Sequence, residues 1–336
     1  AGDGSKMAIM IWVGIIFLYY LLATLMPIDK IIGRIYPLFA FALIFMAAAL
    51  MVCLFVKWPE LPEIWDGLGN LGEAEGLLKG QPIFPCLFIT IACGAVSGFH
   101  ATQSPLMARC VSDEKLGRPV FYGAMITEGI VALIWATVSS WFFFDGGAAA
   151  TGAALTASAP DVVVKVSENW LGILGGILAI LGVVAAPITS GDTAFRSARL
   201  IVADFLHLTQ KPIRNRLMIS IPLFIIAGFL LWYNIADEDG FNVIWRYFGW
   251  ANQTLAVFML WTATAYLVKT KKGLAYMITM LPAAFMTSVC TTYLCVAKIG
   301  FNMPTSWNYA IGASVFALSI IIFYILYFKA TAKKQS

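Results

Sequence analysis

Long hydrophobic stretches, separated by short polar or basic connections, make up most of this chain. An α-helix needs about 20 apolar residues to cross the hydrocarbon core of a bilayer, and it satisfies its own backbone hydrogen bonds there. The stretches are too long and continuous for the strands of a barrel. The pattern therefore predicts about nine membrane-spanning helices, at roughly 7–26, 36–56, 83–104, 119–144, 170–190, 216–234, 245–268, 274–297 and 307–328.

Composition supports the same class of protein. Hydrophobic residues make up 60% of the 336 residues and charged residues only 12%, whereas soluble domains carry about 25% charged residues. A soluble fold of this size could not bury so much apolar surface. We predict an all-α, polytopic transmembrane helix bundle.

The basic residues predict how the helices are oriented. Sixteen of the 22 lysines and arginines fall in alternate connections that lie on one predicted side. The six on the other side are Lys6, Lys57, Lys79, Lys165, Arg246 and Lys298. Cytoplasmic loops carry the excess of basic residues, so we expect the amino terminus outside and the carboxyl terminus in the cytoplasm.

The sequence lacks the motifs of several other function classes. It contains no GxxxxGK[ST] phosphate loop and no GxSxG nucleophile elbow. The six cysteines have no CxxC spacing and there are only two histidines, which argues against a metal cluster. We predict a protein that is not an enzyme, with no cofactor beyond a coupling ion and no nucleic-acid partner.

Polar residues within the predicted spans are the candidates for function, because they are costly in lipid. The first group ends the third span, in GAVSGFHATQSPLMAR at 94–109. Gly94 and Gly98 form a GxxxG motif for close helix packing, and Pro105 removes a backbone donor. Two interpretations stay open: a helix that unwinds at a substrate site, or a helix that ends near 104 with a histidine at the interface. The candidate substrate-binding residues are His100, Thr102, Gln103 and Ser104.

A second polar group lies in GVVAAPITSGDTAFRSAR at 182–199. Pro187 is expected to kink the span, and hydroxyl and freed carbonyl oxygens suit a hard cation such as sodium. The candidate ion ligands are Thr189, Ser190 and Thr193. The alternative is a helix that ends at Gly191 and restarts at Asp192, whose carboxylate pairs with an arginine.

Glu128 is the third candidate, about three turns inside the span that contains VFYGAMITEGIVALIW. It must be protonated or meet a partner from another helix. It is the first candidate for proton coupling, with Asp192 second, and a structural hydrogen bond between helices is the alternative. In YFGWANQTLAVF, we interpret Asn252, Gln253 and Thr254 as helix–helix contacts rather than ligands.

Several long segments resemble a known family. They are LYYLLATLMPIDKIIGRIYP, SGFHATQSPLMARC, GRPVFYGAMITEGIVALIW, APITSGDTAFRSARLIVADF and FNVIWRYFGWANQTLAVFMLW. They are similar to the carbon starvation protein A (CstA) family of bacterial inner-membrane transporters. The resemblance implies uptake of peptides or pyruvate, and a LeuT-like scaffold of five-plus-five inverted repeats, as in the amino acid–polyamine–organocation superfamily.

The resemblance also implies a division of the chain. Residues 1–56 would be the last two helices of the first repeat, and 57–82 an outer loop. Residues 83–268 would form the second repeat, with a broken helix near 94–109. Two extra helices and a basic cytoplasmic tail would occupy 269–336. Family members carry further amino-terminal spans, so most of the first repeat would be a partner segment, in the same or another chain.

These observations lead to one main functional hypothesis. We expect a secondary active transporter of peptides or pyruvate-like small carboxylates, driven by a proton or sodium gradient, with membrane lipid around it. The residues do not distinguish peptides from pyruvate, or protons from sodium. The alternative is a passive channel or a non-transporting sensor subunit.

Overall fold

The fold is that of a helical membrane protein. In a computed structural model, the described residues are 3–25, 29–61, 63, 65, 81–152, 157–179, 181–182, 185–237, 240–270 and 273–328. These residues include helices and turns but no strand. The main helices are α1 Asp3–Leu25, α2 Asp29–Lys57, α3 Ile83–Gly94, α4 Phe99–Cys110, α5 Ala124–Phe144, α6 Ala159–Ala179, α7 Ala185–Phe205, α8 Ile213–Ala236, α9 Gly240–Thr270, α10 Met277–Val296 and α11 Asn308–Phe323.

Several of these helices can cross a bilayer. Within the part of the chain that the structure describes, six stretches are long and apolar enough by length and composition. They are Pro37–Lys57, Glu114–Phe144, Ala159–Ala179, Ile213–Ala236, Met277–Val296 and Thr305–Phe323. The protein is therefore a multi-pass membrane protein, and the count of nine spans stays a prediction.

The predicted third span is a broken helix. α3 ends at Gly94, residues 95–98 are not helical, and α4 begins at Phe99. The sequence interpretation placed the unwound backbone around the candidate substrate residues, between the glycines and Pro105. The structure places it earlier, because Pro105 lies inside α4 and residues 99–110 form a regular helix.

The predicted span 170–190 covers the end of one helix and the start of another, and residues 180, 183 and 184 between them lie outside the described part of the chain. α6 ends at Ala179 and α7 begins at Ala185. Pro187 lies in the first turn of α7, where its missing N–H has no intrahelical partner to lose, so it starts a helix rather than kinking one. α7 then runs through Gly191 and Asp192 without a break, so the alternative of a helix restarting at Asp192 is also wrong.

The two long predicted loops have different outcomes. Most of 57–82 lies outside the described residues. In the other connection, 145–169, the segment PDVVVKVSEN favours a short surface helix by sequence, whereas the structure makes it the first part of α6, which is long and apolar enough to cross a bilayer. Ser158 precedes it and donates to Asp161 Oδ2 at 2.6 Å, which orders the first turn. α6 continues to Ala179 across Gly172, whose φ of 64° and ψ of −150° interrupt the regular helix.

The chain divides into two units, and the first comprises Ala1–Pro62 and Leu133–Leu231. Its core lies where α2 packs on α6, and the side chains of Met46, Leu50 and Val166 are fully buried there. The rings of Trp141 and Trp170 lie 4.7 Å apart and extend this core.

The second unit comprises Glu63–Ala132 and Trp232–Ser336. In it α10 packs against both α9 and α11. The Trp250 indole donates to the Cys290 carbonyl oxygen at 3.1 Å, and the Ser288 hydroxyl donates to the Gly312 carbonyl oxygen at 2.7 Å. α3 packs on α9 and α10, so the helix break is held by the best-packed part of this unit.

Candidate transport site

The centre of the candidate site is the break between α3 and α4. The Ala95 and Val96 N–H groups both donate to the Ala92 carbonyl oxygen, at 3.0 and 2.6 Å, and regular hydrogen bonding then stops. Gly98 precedes α4 and provides no side-chain cap. The first N–H groups of a helix lack intrahelical partners and form the positive end of its dipole. The break therefore presents a site suited to an anionic group.

α9 covers this break with an asparagine. Gly98 lies directly against the Asn252 carbonyl, so close that a Cβ at this position would overlap it. The Asn252 side chain is 5% exposed, accepts from the Ser97 hydroxyl at 3.5 Å and donates to Cys93 Sγ at 3.3 Å. The asparagine therefore bonds to residues on both sides of Gly94.

The adjacent residue, Gln253, satisfies the backbone of the broken segment. Its side chain is fully buried. In the amide orientation that satisfies both its ends, its oxygen accepts from the Cys93 N–H at 3.0 Å and its nitrogen donates to the Val96 carbonyl oxygen at 3.0 Å. The interpretation of these amides as helix–helix contacts is confirmed. The Thr254 hydroxyl donates to the Trp250 carbonyl oxygen of its own helix, and the side chain also bonds to the Cys290 thiol of α10.

α5 approaches the break from another direction. Gly94 lies against the Ala132 side chain, and a Cβ at Gly129 would be 3.8 Å from the Gly94 carbonyl oxygen. The two glycines of the GxxxG motif thus contact different helices. Glu128, next to Gly129, is exposed within the described chain and lies within electrostatic range of the Cys93 thiol. The carboxyl group of this proton-coupling candidate is therefore close to the break.

The candidate substrate residues lie on the first two turns of α4. Thr102, Gln103 and Ser104 are half-buried. The backbone of His100 is helical, and its side chain lies outside the described part of the structure. All four thus follow the break directly, on helical rather than unwound backbone.

The candidate ion ligands lie in the first unit, on α7. Ser190 is exposed, Thr193 is half-buried, and the side chain of Thr189 lies outside the described residues. Asp192 is 2% exposed, and its Oδ2 accepts from Arg196 Nη2 at 3.2 Å. The pairing that the sequence offered as the ordinary alternative for Asp192 is therefore present.

The same turn of α7 packs on α1. Gly191 lies against the Tyr20 hydroxyl, and the rings of Tyr20 and Phe195 are 5.4 Å apart. Tyr20 was not among the candidates predicted from the sequence, because a tyrosine in an apolar span has no pattern that separates it from other aromatic residues. Among the residues that the structure describes, no group of three or more His, Cys, Asp or Glu side chains could hold a metal ion.

Comparison with known proteins decides the family. The family model described as "Carbon starvation protein CstA" matches residues 4–172 and 144–293. The chain belongs to the CstA family. The resemblance that the motifs suggested is thereby confirmed at family level.

Three relatives illustrate the range of the CstA match. An "Uncharacterized membrane protein" of Haemophilus influenzae is 49% identical over 154 residues, which is 42% of this chain and 42% of that protein. The "Peptide transporter CstA" of Escherichia coli is 26% identical over 312 residues, covering 72% of this chain and 43% of that protein. The "Pyruvate/proton symporter BtsT" of Escherichia coli is 26% identical over 334 residues, covering 74% and 44%.

The chain spans less than half the length of each of these three relatives. No solved structure matches it.

Proposed function

We propose that this chain forms part of a secondary active transporter that takes up short peptides or pyruvate-like small carboxylates. The observation that carries the proposal is the helix break at 95–98, with buried amides of α9 bonded to it and an uncapped helix amino terminus beside it. Broken helices of this kind form the substrate sites of many secondary transporters. The names of two relatives, a peptide transporter and a pyruvate/proton symporter, support the same class.

In this proposal, the amino-terminal end of α4 receives the substrate carboxylate. His100, Thr102, Gln103 and Ser104 supply side-chain hydrogen bonds from the two turns that follow the break. A carboxylate is shared by pyruvate and by the carboxyl terminus of a peptide, so one recognition element accounts for both substrate classes.

Proton coupling is assigned first to Glu128. Its carboxyl group is within electrostatic range of the Cys93 thiol, so a protonation change would alter the field at the broken segment. Asp192 is second, since it already forms an ion pair with Arg196. If sodium is the coupling ion, Thr189, Ser190 and Thr193 would be its ligands, because hydroxyl oxygens suit a hard cation.

The relatives are more than twice as long as the regions matched. We therefore propose that a further segment, in the same or another chain, completes the transporter and the substrate site. The complex would lie in the bacterial inner membrane, with Ala1 outside and Ser336 in the cytoplasm as the basic residues predict.

The test removes the imidazole at the break. His100→Ala should abolish uptake of labelled pyruvate and dialanine into proteoliposomes while expression stays normal. His207→Asn is the matched control, because His207 is the other histidine, is exposed, and has a φ of 53° that asparagine tolerates. Wild-type uptake by His100→Ala would contradict the assignment of α4 to the substrate site.

A further inference from the structure

A second polar cavity lies away from the helix break, within the second unit. It is formed between the first turns of α9 and the end of α10, and its volume is about 370 Å³. Its polar lining comprises Gln81, Arg246, Tyr293, Lys298, Asn302 and Thr305. We call it the basic cavity.

One wall of the basic cavity is a loop that its own backbone holds in place. In the loop 297–304, the Phe301 N–H donates to the Leu294 carbonyl oxygen and the Met303 N–H donates to the Cys295 carbonyl oxygen, both at 2.9 Å. These bonds fold the loop back onto the end of α10. These hydrogen bonds therefore hold this wall of the cavity in a defined position.

Two further bonds tie this wall to its neighbours. The Tyr247 hydroxyl of α9 donates to the Ile299 carbonyl oxygen at 2.9 Å. On the other side, the Asn308 amide of α11 donates to the Phe84 carbonyl oxygen at 3.0 Å, next to the segment that carries Gln81. Four segments are thus fixed around one space, which preorganises it for a ligand.

The charge in the basic cavity has one sign. Arg246 is half-buried and Lys298 is exposed, and none of the lining residues in the described part of the chain is acidic. Among the described residues, neither side chain forms a hydrogen bond or an ion pair. An anion that enters the basic cavity would therefore meet two basic side chains, whose charges attract it.

We propose that the basic cavity binds a small organic carboxylate. The planar guanidinium of Arg246 matches a carboxylate with two parallel hydrogen bonds, and Gln81, Asn302 and Thr305 can bond to the remaining polar atoms. A volume of about 370 Å³ is at the small end of ligand pockets, which fits a solute of a few heavy atoms up to a dipeptide.

The position of the basic cavity suggests its role. Arg246 and Lys298 are two of the six basic residues on the predicted outer side. The cavity would capture an external carboxylate before it reaches the break between α3 and α4. This role rests on the proposed function, whereas carboxylate binding in the cavity does not.

The test measures pyruvate binding by isothermal titration calorimetry, with the chain in nanodiscs of neutral phosphatidylcholine. Because a hydrogen bond to a charged group is lost, Arg246→Gln should weaken binding about 10- to 100-fold. Arg246→Lys should retain part of the affinity and Lys298→Gln should cause a smaller loss. Lys57→Gln is the matched control, since Lys57 is an exposed lysine of the same predicted side that does not line the cavity.

Two probes identify the ligand chemistry. Pyruvamide has the shape of pyruvate without its charge and should not bind. Nanodiscs with phosphatidylglycerol test whether a lipid phosphate is the occupant instead. The proposal is overturned if Arg246→Gln lowers pyruvate affinity in phosphatidylglycerol nanodiscs but not in phosphatidylcholine nanodiscs. It is also overturned if Arg246→Gln and Lys298→Gln both bind pyruvate like the wild type.

Unfolding temperatures in the same nanodiscs separate a lost ligand contact from a lost fold. If Arg246→Gln unfolds early, Lys298→Gln and Arg246→Lys decide the question alone. If pyruvate binding depends on Arg246 but the protein transports no substrate, the carboxylate site in the basic cavity is supported and the proposed function is contradicted. Transport with a wild-type KM in Arg246→Gln would contradict the capture role.

Discussion

At the residue scale, Gln253 connects α9 to the last turn of α3 and to the turn that follows it. Its amide bonds to the Cys93 N–H and the Val96 carbonyl oxygen, groups that a continuous helix would satisfy by itself. A buried amide that replaces these bonds explains how a span can open without exposing polar backbone to lipid. The neighbouring Asn252 has the same role toward the side chains of Ser97 and Cys93.

Replacing Gln253 with leucine should destabilise the protein, because each backbone group left unpaired in a buried site costs about 1–3 kcal/mol. We expect a lower unfolding temperature in detergent and loss of uptake. Thr262→Val is the matched control, since Thr262 is exposed on the same helix and its hydroxyl donates to the Phe258 carbonyl oxygen of α9. Equal stability of Gln253→Leu and the wild type would show that the amide does not support the break.

Glu128 yields a second prediction at this scale. If its carboxyl group carries the coupled proton, Glu128→Gln should still bind substrate but should lose the dependence of uptake on a pH gradient. Uptake is measured in proteoliposomes with and without an imposed gradient. Glu114→Gln serves as control, because Glu114 is exposed in the turn before α5. An unchanged pH response in Glu128→Gln would remove it from the mechanism.

At the element scale, the two glycines of GxxxG let two different helices approach one broken segment. Gly94 contacts α5 at Ala132, and Gly98 contacts α9 at the Asn252 backbone. A single-helix motif predicts close packing but does not predict which helix each glycine meets. That depends on the turn at 95–98, which rotates one glycine relative to the other.

Gly98→Ala should therefore be more damaging than a surface glycine substitution. The new Cβ would overlap the Asn252 carbonyl, which is backbone and cannot rotate away, so α9 would have to move at a cost of about 1–3 kcal/mol. Gly123→Ala is the control, because a Cβ there meets no atom within 4 Å. The two variants are compared by thermal unfolding and uptake, and equal behaviour would contradict the packing of α9 on the break.

Hydrophobic pattern alone predicted most of the helices but misplaced those that depend on tertiary contacts. Helices such as α2 and α10 can be predicted from their long apolar runs without knowledge of their tertiary contacts. Within the run 170–190, Gly182 lies against the backbone of Leu43 and Pro187 falls in the first turn of α7, and an apolar pattern shows neither feature. Likewise, Pro105 suggested an unwound turn, whereas the amides of α9 stabilise the break several residues earlier.

At the scale of the whole molecule, sequence pattern predicted the class and family, and the candidate site only in part. Polar residues inside spans marked Asn252, Gln253 and Glu128 because each is costly in lipid. Pattern could not show that these residues converge on 95–98, since that convergence depends on three helices. The basic cavity was equally invisible, because Arg246 and Lys298 lie far apart in sequence and line one space only through the fold of the loop 297–304.

The most direct test of the transporter assignment is substrate counterflow. Proteoliposomes containing the protein, purified in mild detergent with any chain that copurifies, are loaded with unlabelled pyruvate or dialanine and diluted into a trace of the labelled compound. We expect internal substrate to accelerate and transiently concentrate the label, because a carrier exchanges one solute for another. Label entry that does not depend on internal substrate, as in a channel, or no entry at all, as in a sensor, would contradict the assignment as a transporter.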